Sequence, residues 1–258
     1  MRGRRFPRVG VGWAWAAVFA AITACGDESG DGGPFELVGV YANSFSQELV
    51  LTPTRWGDFS ILESDNRSNR LLFEALLPGE TAPVYGRIVW TEPADDGRFF
   101  YCFEVSAADS LEAARDARVQ VDASDPARRG CGDFAWAQAW PAVDIRGRYV
   151  ASTGDVNTVT ATVWMRGDDE LLGLAAWDNE LSYVVAQNAS NASTEPNRYR
   201  LIEWVPADAE GEWFVCDVAT SFETARAAYT STLTADRTDP GAGGCRGEPW
   251  VRLRRPPR

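Results

Sequence analysis

The chain has 258 residues, a formal net charge of −12, and neither lysine nor histidine. Without histidine, Ser-His and Cys-His nucleophilic pairs and histidine metal sites are excluded, and without lysine, Schiff-base and P-loop chemistry are excluded. Because carboxylates outnumber scattered arginines, we expect no nucleic-acid partner, and we interpret the basic residues at 252–258 as a solvated tail.

The first 24 residues follow the order of an export signal. Residues 2–8 contain four arginines, and residues 9–24 form an apolar stretch without a charge. A run of about 16 apolar residues is short for a hydrocarbon core of ~30 Å, so we expect cleavage rather than a retained span. The mature chain then loses four arginines and no carboxylate, which changes its formal charge from −12 to −16.

Residues 22–25, Ile-Thr-Ala-Cys, resemble the lipobox of bacterial lipoproteins. The resemblance implies that Cys25 is acylated and anchors the chain to a membrane. An incidental cysteine after an ordinary secretory signal is the alternative. Gly26, in place of aspartate, favours the outer membrane by the same resemblance, at its periplasmic face or on the cell surface. Residues 25–34 are Gly-rich and acidic and predict a flexible tether.

The mature chain contains an internal duplication. Five landmarks recur 114 residues later: Trp90/Trp204, Cys102/Cys216, Asp125/Asp239, Cys131/Cys245 and Trp136/Trp250. Three earlier landmarks recur 108 residues later: Gly39/Gly147, Tyr41/Tyr149 and Trp56/Trp164. A length difference of six residues therefore lies between the two blocks, and we expect it in loops. The predicted domains are residues 35–140 and 143–258.

Four cysteines besides Cys25 form two pairs of equal spacing. Four cysteines allow three connectivities, and equal spacing in duplicated units favours Cys102 with Cys131 and Cys216 with Cys245. Export to an oxidising compartment permits these bonds. A four-thiolate metal site is the alternative, but it lacks a close C-x-x-C pair. We expect no metal and no cofactor.

The repeats are predicted to be mainly β. Short β-prone runs lie between turn signals, at residues 37–41, 48–52, 59–62, 70–76, 84–90 and 99–105, then 148–151, 158–164, 171–177, 181–186, 199–204 and 213–218. This spacing predicts two tandem small antiparallel β-barrel or sandwich domains. Ala-rich runs at 111–118 and 224–228 predict one short helix per domain, opened by capping boxes at 106–109 and 220–223. Each disulfide would join the strand before the helix to the loop after it.

Two resemblances concern the repeat as a whole. The Gly-x-Tyr openings at Gly39 and Gly147 are similar to the Gly-x-Trp opening of lipocalin-like barrels, and a compact closed barrel without a ligand is the alternative. The order Trp, Phe-x-Cys, capped helix, Asp-Pro, Gly-Cys and Trp resembles repeated domains in uncharacterised bacterial lipoproteins. That resemblance covers nearly the whole mature chain, and it implies no activity, substrate or site residue.

Tryptophans divide into two groups. Those present in both copies are expected to fill the cores, with a repeated ligand platform as the alternative: Trp56/Trp164, Trp90/Trp204 and Trp136/Trp250. Trp140, Trp177 and Trp213 are not faithfully repeated, which suits surface or domain-joint positions and contact with a sugar or partner. Trp177 precedes Asp178 and Asn179, so a stacking face adjoins hydrogen-bonding groups. These five residues are the predicted ligand-binding set, and a strand end followed by a turn is the alternative for 177–179.

Three acidic loops, at residues 95–97, 166–170 and 208–210, offer oxygen ligands for Ca²⁺. None has the spacing of an EF-hand loop, and we interpret them as solvated turns.

The leading functional hypothesis is a lipid-anchored, non-catalytic envelope lipoprotein that binds a polysaccharide, peptidoglycan or a protein partner. Duplication offers avidity if both copies bind. One alternative is a barrel that carries a small apolar ligand, which requires a cavity in each barrel. The other is a hydrolase with carboxylates alone, which needs two acidic side chains ~5 to 9.5 Å apart. No acidic pair recurs in both copies, and no oligomeric state is indicated.

Overall fold

A computed structural model describes residues 35–256, which form two closed antiparallel barrels in tandem. The predicted export signal, Cys25, the tether at 25–34 and the last two residues lie outside the described range. The prediction of two mainly β domains is confirmed, and both domains are barrels rather than sandwiches. Within residues 35–256, neither helix has the length and apolar character needed to cross a membrane.

The first barrel contains eight strands. They are β1 (Gly39–Asn43), β2 (Glu48–Thr52), β3 (Arg55–Trp56), β4 (Phe59–Asp65), β5 (Arg70–Ala75), β6 (Val84–Trp90), β7 (Phe99–Ala108) and β10 (Ala137–Pro141). Between β7 and β10 lie helix α1 (Leu111–Asp116) and a hairpin of β8 (Gly130–Cys131) with β9 (Phe134–Ala135). The barrel closes where β1 pairs with β10, with Ala42 opposite Trp140.

The second barrel repeats this meander. Its strands are β11 (Gly147–Ala151), β12 (Val156–Val159), β13 (Val163–Arg166), β14 (Glu170–Asp178), β15 (Tyr183–Asn188), β16 (Tyr199–Pro206), β17 (Trp213–Phe222) and β18 (Val251–Arg254), with helix α2 (Ala225–Tyr229) after β17. It closes where β11 pairs with β18, with Val150 opposite Arg254.

Most predicted strands overlap the observed ones, and the errors have local causes. The run at 158–164 is two strands, because the Thr160 hydroxyl accepts from the backbone N–H of Thr162 and Val163 and holds a turn without glycine or proline. Strands β3, β8 and β9 were missed because two residues are too short for a periodic signal. Strands β10 and β18 were also missed.

The interiors of both barrels are filled by aromatic and aliphatic side chains. Trp56, Trp90, Trp164 and Trp204 are at most 3% exposed, as expected for the repeated tryptophans. In the first barrel Trp56 packs against Phe35, Phe99 and Tyr101, among other rings. Burying such side chains contributes roughly 1.5 to 3 kcal/mol each, so these tryptophans define the cores.

Each helix is a short covering element held beside the barrel wall. The predicted capping boxes are wrong, because residues 106–108 and 220–222 continue β7 and β17. The caps are instead Ser110 and Thr224, whose hydroxyls each accept from a backbone N–H three residues on at 3.1 Å.

The prediction of one disulfide per domain is confirmed. Cys102 is bonded to Cys131, and Cys216 to Cys245, each over a sequence separation of 29. Closing loops of this length stabilises each domain by about 3 to 4 kcal/mol in the chain-entropy account. In the second domain Cys216 packs with Val218, Ala228 and Trp250, so the bond belongs to the core between barrel wall and helix.

Candidate functional site

The predicted ligand-binding tryptophans Trp140 and Trp177 lie at the joint between the barrels. Their rings are 6.1 Å apart, and Nε1 of Trp177 donates to the carbonyl of Pro141 at 2.9 Å. Asn179 donates to the carbonyl of Ala142 and accepts from the backbone N–H of Asp144, both at 3.0 Å. The polar atoms that suggested a sugar contact therefore hold the connection between the two domains.

The other two members of the predicted set make their own contacts within the second barrel. The Asp178 carboxylate accepts from the N–H of Leu181 at 2.8 Å and holds a turn. Nε1 of Trp213 donates to the hydroxyl of Tyr149 at 3.2 Å, and the half-buried Trp213 ring packs on the core of the second barrel. The hydrogen-bonding atoms of these four residues thus bind within the chain: Trp177, Asp178, Asn179 and Trp213.

A cleft of about 810 Å³ opens at one end of the second barrel. Its polar lining includes six side chains from six successive strands: Asn157, Arg166, Glu170, Asn188, Arg200 and Asp217. Apolar side chains are also part of the lining: Ala151, Leu172, Val215 and Val251. We call this cavity the mouth cleft. A polar barrel end above an apolar core is the kind of concave site that binds small ligands.

An ion cluster lies at the centre of the mouth cleft. Both terminal nitrogens of Arg166 donate to the two carboxylate oxygens of Asp217, each at 2.8 Å. Arg200 donates through Nη1 to Asp217 at 3.0 Å, and the same nitrogen lies 2.9 Å from an oxygen of Glu170. One inner carboxylate therefore serves two guanidinium groups, and Glu170 supplies the second negative charge.

Neighbouring side chains hold the cluster in place. The Arg166 guanidinium lies over the Trp164 ring at 4.4 Å, and that indole donates to Asn157 at 2.8 Å. Nε of Arg200 donates to Asn188 at 2.9 Å, and Asn188 in turn donates to the carbonyl of Glu195. Such second contacts fix the positions of the arginines before a ligand arrives.

The pKa shifts of Asp217 and Arg166 both favour the charged forms. Burial raises the pKa of the Asp217 carboxyl, but the charges and hydrogen bonds of Arg166 and Arg200 outweigh burial and lower it overall. Burial lowers the pKa of the Arg166 guanidinium, and Asp217 and Glu170 outweigh that effect and raise it. The side chains of Arg166, Arg200 and Asp217 are 17%, 10% and 27% exposed, so these charges meet little bulk water.

Three phenylalanines occupy the corresponding end of the first barrel. Trp56 pairs with Phe59 as Trp164 pairs with Leu172, so Phe59 corresponds to Leu172. Ile88 pairs with Phe103 as Ile202 pairs with Asp217, so Phe103 corresponds to Asp217. By the same register Phe73 corresponds to Ala186. Phe59 stacks on Phe73 at 4.6 Å, and Phe103 meets both rings at 5.7 and 6.0 Å. The first barrel is therefore plugged where the second is open.

The two barrels differ at one further position, which is glycine in the first barrel and arginine in the second. Gly86 pairs with Phe73 in the first barrel, and Arg200 pairs with Ala186 in the second. A Cβ at Gly86 would lie 2.2 Å from Phe73, so the Phe73 ring fits only because Gly86 has no side chain. In the second barrel the small Ala186 leaves room for Arg200.

The length difference between the repeats falls in loops that line the mouth cleft. Two residues separate Trp56 from Phe59, whereas seven separate Trp164 from Leu172, so five of the six extra residues lie in the β13–β14 hairpin. The sixth lies between β15 and β16, in the loop that contains Ser193. The second copy therefore has longer loops at the cleft than the first copy has at the same end.

The acidic segment at 166–170, considered for Ca²⁺ from its sequence, forms part of this site through Arg166 and Glu170. Among residues 35–256, no group of three or more Cys, Asp or Glu side chains is arranged to hold a metal ion. The carboxylates of the cluster are bound by arginines.

No family model, curated protein or solved structure matches the chain. The candidate site therefore depends on the residues of this chain and on the comparison of its two copies.

Arg200 and Asp217 were missed from the sequence. The signal that points to them is the replacement of inward-facing Gly86 and Phe103 by charged residues at an offset of 114. Both positions differ between the copies, so neither belongs to the landmarks that the copies share.

Proposed function

We propose that the chain is a lipid-anchored envelope lipoprotein and a non-catalytic binding module, and that its second barrel holds a polar ligand in the mouth cleft. The ligand is a polysaccharide, peptidoglycan or a segment of a protein partner. The observation that carries this proposal is the ion cluster of Arg166, Arg200 and Asp217 inside one barrel, at the place where the other barrel has phenylalanine packing.

Divergence between the copies supports a binding role for the cluster. A barrel of this kind can close with a phenylalanine plug, since the first copy does so. Buried ion pairs are weak contributors to stability, because desolvation offsets their attraction. A charged, open end therefore needs a reason other than folding, and ligand recognition supplies one.

Transport of an apolar ligand is less compatible with these barrels. Trp56 and Trp164 are at most 1% exposed and occupy the two interiors, and the mouth cleft is lined by charges. An apolar ligand would have to replace packed tryptophans.

Hydrolysis by carboxylates is also less compatible with the cleft. Glycoside hydrolysis needs one carboxylic acid whose pKa is raised, so that it donates a proton near neutral pH. Asp217 has a lowered pKa and is held as a carboxylate. Asp144, whose pKa is raised by burial, adjoins Asn179 at the domain joint.

The test is a binding screen of the purified mature chain against bacterial polysaccharides and a soluble peptidoglycan digest. Ser193→Trp adds a large ring to the cleft from an exposed loop and leaves the residues of the ion cluster unchanged, and Glu80→Trp places the same side chain on an exposed loop of the first barrel. We expect Ser193→Trp to weaken binding at least tenfold and Glu80→Trp to leave it unchanged. Absence of any ligand, or equal binding by both variants, contradicts the proposal.

A further inference from the structure

The charges of the mouth cleft are arranged in two layers. The inner layer contains Arg166, Arg200 and Asp217, and it carries one surplus positive charge, which Glu170 balances in this structure. The outer layer contains exposed Asp155, Asp169 and Glu248 together with exposed Arg246 among the lining residues, and it is negative overall. A ligand that complements both layers carries a negative group at its inner end and a positive group at its outer end.

Glu170 occupies the position that the negative end of such a ligand needs. One of its oxygens lies 2.9 Å from Nη1 of Arg200, and the other lies 3.8 Å from Nη1 of Arg166. Its side chain is 41% exposed and belongs to the hairpin that is longer in the second copy. A half-exposed ion pair is weak, so a carboxylate held by further contacts in the cleft can replace it.

Arg200 has donor capacity to receive that carboxylate. Its side chain is nine-tenths buried, and its hydrogen bonds use Nε and Nη1. Among residues 35–256, Nη2 has no hydrogen-bond acceptor, and this nitrogen is not fully buried. Guanidinium groups bind carboxylates through two parallel hydrogen bonds, so Nη1 and Nη2 together suit this ligand group.

The remaining lining limits the body of the ligand. Ala151, Val215 and Val251 offer small apolar contacts in the same lining. A cleft of about 810 Å³ holds a short peptide rather than a folded partner. Free anions are disfavoured, because the carboxylates of the outer layer repel them.

We propose that the mouth cleft binds a short zwitterionic peptide whose carboxylate replaces that of Glu170 on Arg200 and whose ammonium group meets the carboxylates of the outer layer. The inference rests on the proposed binding function and narrows its ligand. Glu170 then acts as an internal competitor that occupies the arginine until the peptide arrives.

Calorimetric titration of the purified mature chain tests this with trialanine, trialanine amide and N-acetyl-trialanine. We expect the amide, which lacks the carboxylate, to bind at least tenfold more weakly than trialanine. The N-acetyl peptide lacks the ammonium group and is expected to bind about threefold to tenfold more weakly than trialanine. The loss is small because the carboxylates that the ammonium group would meet are exposed to solvent. Equal binding of trialanine and its amide overturns the proposal.

A matched pair of variants tests the competition. Glu170→Gln removes the internal carboxylate and is expected to bind trialanine threefold to tenfold more tightly. Glu63→Gln removes an exposed glutamate from its ion pair with Arg115 in the first barrel and is expected to leave affinity unchanged. Unchanged or weaker binding by Glu170→Gln overturns the competitor role.

The two proposals fail in different ways. If no peptide binds while a polysaccharide binds and is blocked by Ser193→Trp, the zwitterionic ligand is excluded and the binding function stands. If Ser193→Trp blocks nothing, the mouth cleft itself is excluded.

Discussion

Phe73 and Gly86 face each other across β5 and β6, and a Cβ at Gly86 would lie 2.2 Å from Cζ of the Phe73 ring. Their counterparts in the second barrel, Ala186 and Arg200, reverse the sizes of the two side chains. One strand framework therefore supports two barrel ends, one packed with rings and one lined with charges.

Gly86→Ala is expected to destabilise the first barrel by about 1 to 3 kcal/mol, because the added methyl meets both Phe73 and the carbonyl of Val105 in a packed interior. Urea denaturation of the mature chain measures the change. Gly173→Ala is the matched control, since a Cβ there meets nothing within 4 Å. A change below about 0.5 kcal/mol for Gly86→Ala means that the plug is loosely packed.

Asp217→Asn is expected to cost about 2 to 4 kcal/mol at pH 7, because two arginines lose their shared carboxylate, and partial exposure keeps the loss below that of a fully buried pair. Asp208→Asn, an exposed control, is expected to change stability by less than about 0.5 kcal/mol. Urea denaturation again measures both.

The cost of Asp217→Asn is expected to depend on pH. Because the folded pKa of Asp217 is lowered, its contribution is complete above the ordinary value of 3.8 and is lost as the pH falls through the lower folded value. The difference between wild type and Asp217→Asn should therefore narrow on acidification below pH 3.8. A difference that widens in acid contradicts the ionised cluster.

Asn179→Ala is expected to loosen the joint between the barrels. It removes hydrogen bonds to Ala142 and Asp144, each worth about 0.5 to 1.5 kcal/mol. Limited proteolysis should cut residues 142–146 faster than in wild type, whereas Gln47→Ala, at an exposed position, should not change the rate. Unchanged cleavage by Asn179→Ala means that other contacts hold the joint.

Cys25→Ser is expected to abolish lipid attachment. A thioether-linked lipid requires the cysteine sulfur, and more than one acyl chain makes membrane attachment stable. Metabolic labelling with an alkyne fatty acid, followed by separation of membrane and soluble fractions, measures both effects. Label retained by Cys25→Ser contradicts the lipoprotein assignment.

The repeat pattern predicted the two domains because gene copies preserve what folding needs. Buried Trp56 and Trp164, and the cysteine pairs, occupy equivalent positions in both copies, so equal spacing was sufficient to find them. Helix caps were misplaced by four residues, because Ser106 and Thr220 have an acidic residue three positions on but lie in strands, whereas the true caps Ser110 and Thr224 have alanine there.

The candidate site could not be found from shared features. Arg200 and Asp217 stand where the first copy has Gly86 and Phe103, so they differ between the copies. In sequence they resemble solvated charges. Only the folded barrel brings Arg200 on β16 and Asp217 on β17 into contact with each other and with Arg166. The sequence around Trp177, in contrast, suggested a ligand site, but Trp177 and Asn179 make hydrogen bonds at the joint between the domains.

The most direct test is an NMR titration of the ¹⁵N-labelled mature chain with the soluble peptidoglycan digest, observing arginine Nε–H and tryptophan indole signals. The account predicts shifts at Arg166 and Arg200, with the Trp177 indole and Arg87 in the first barrel unaffected. A shift of Trp177 without any change at Arg200 would place the ligand at the joint and contradict the account.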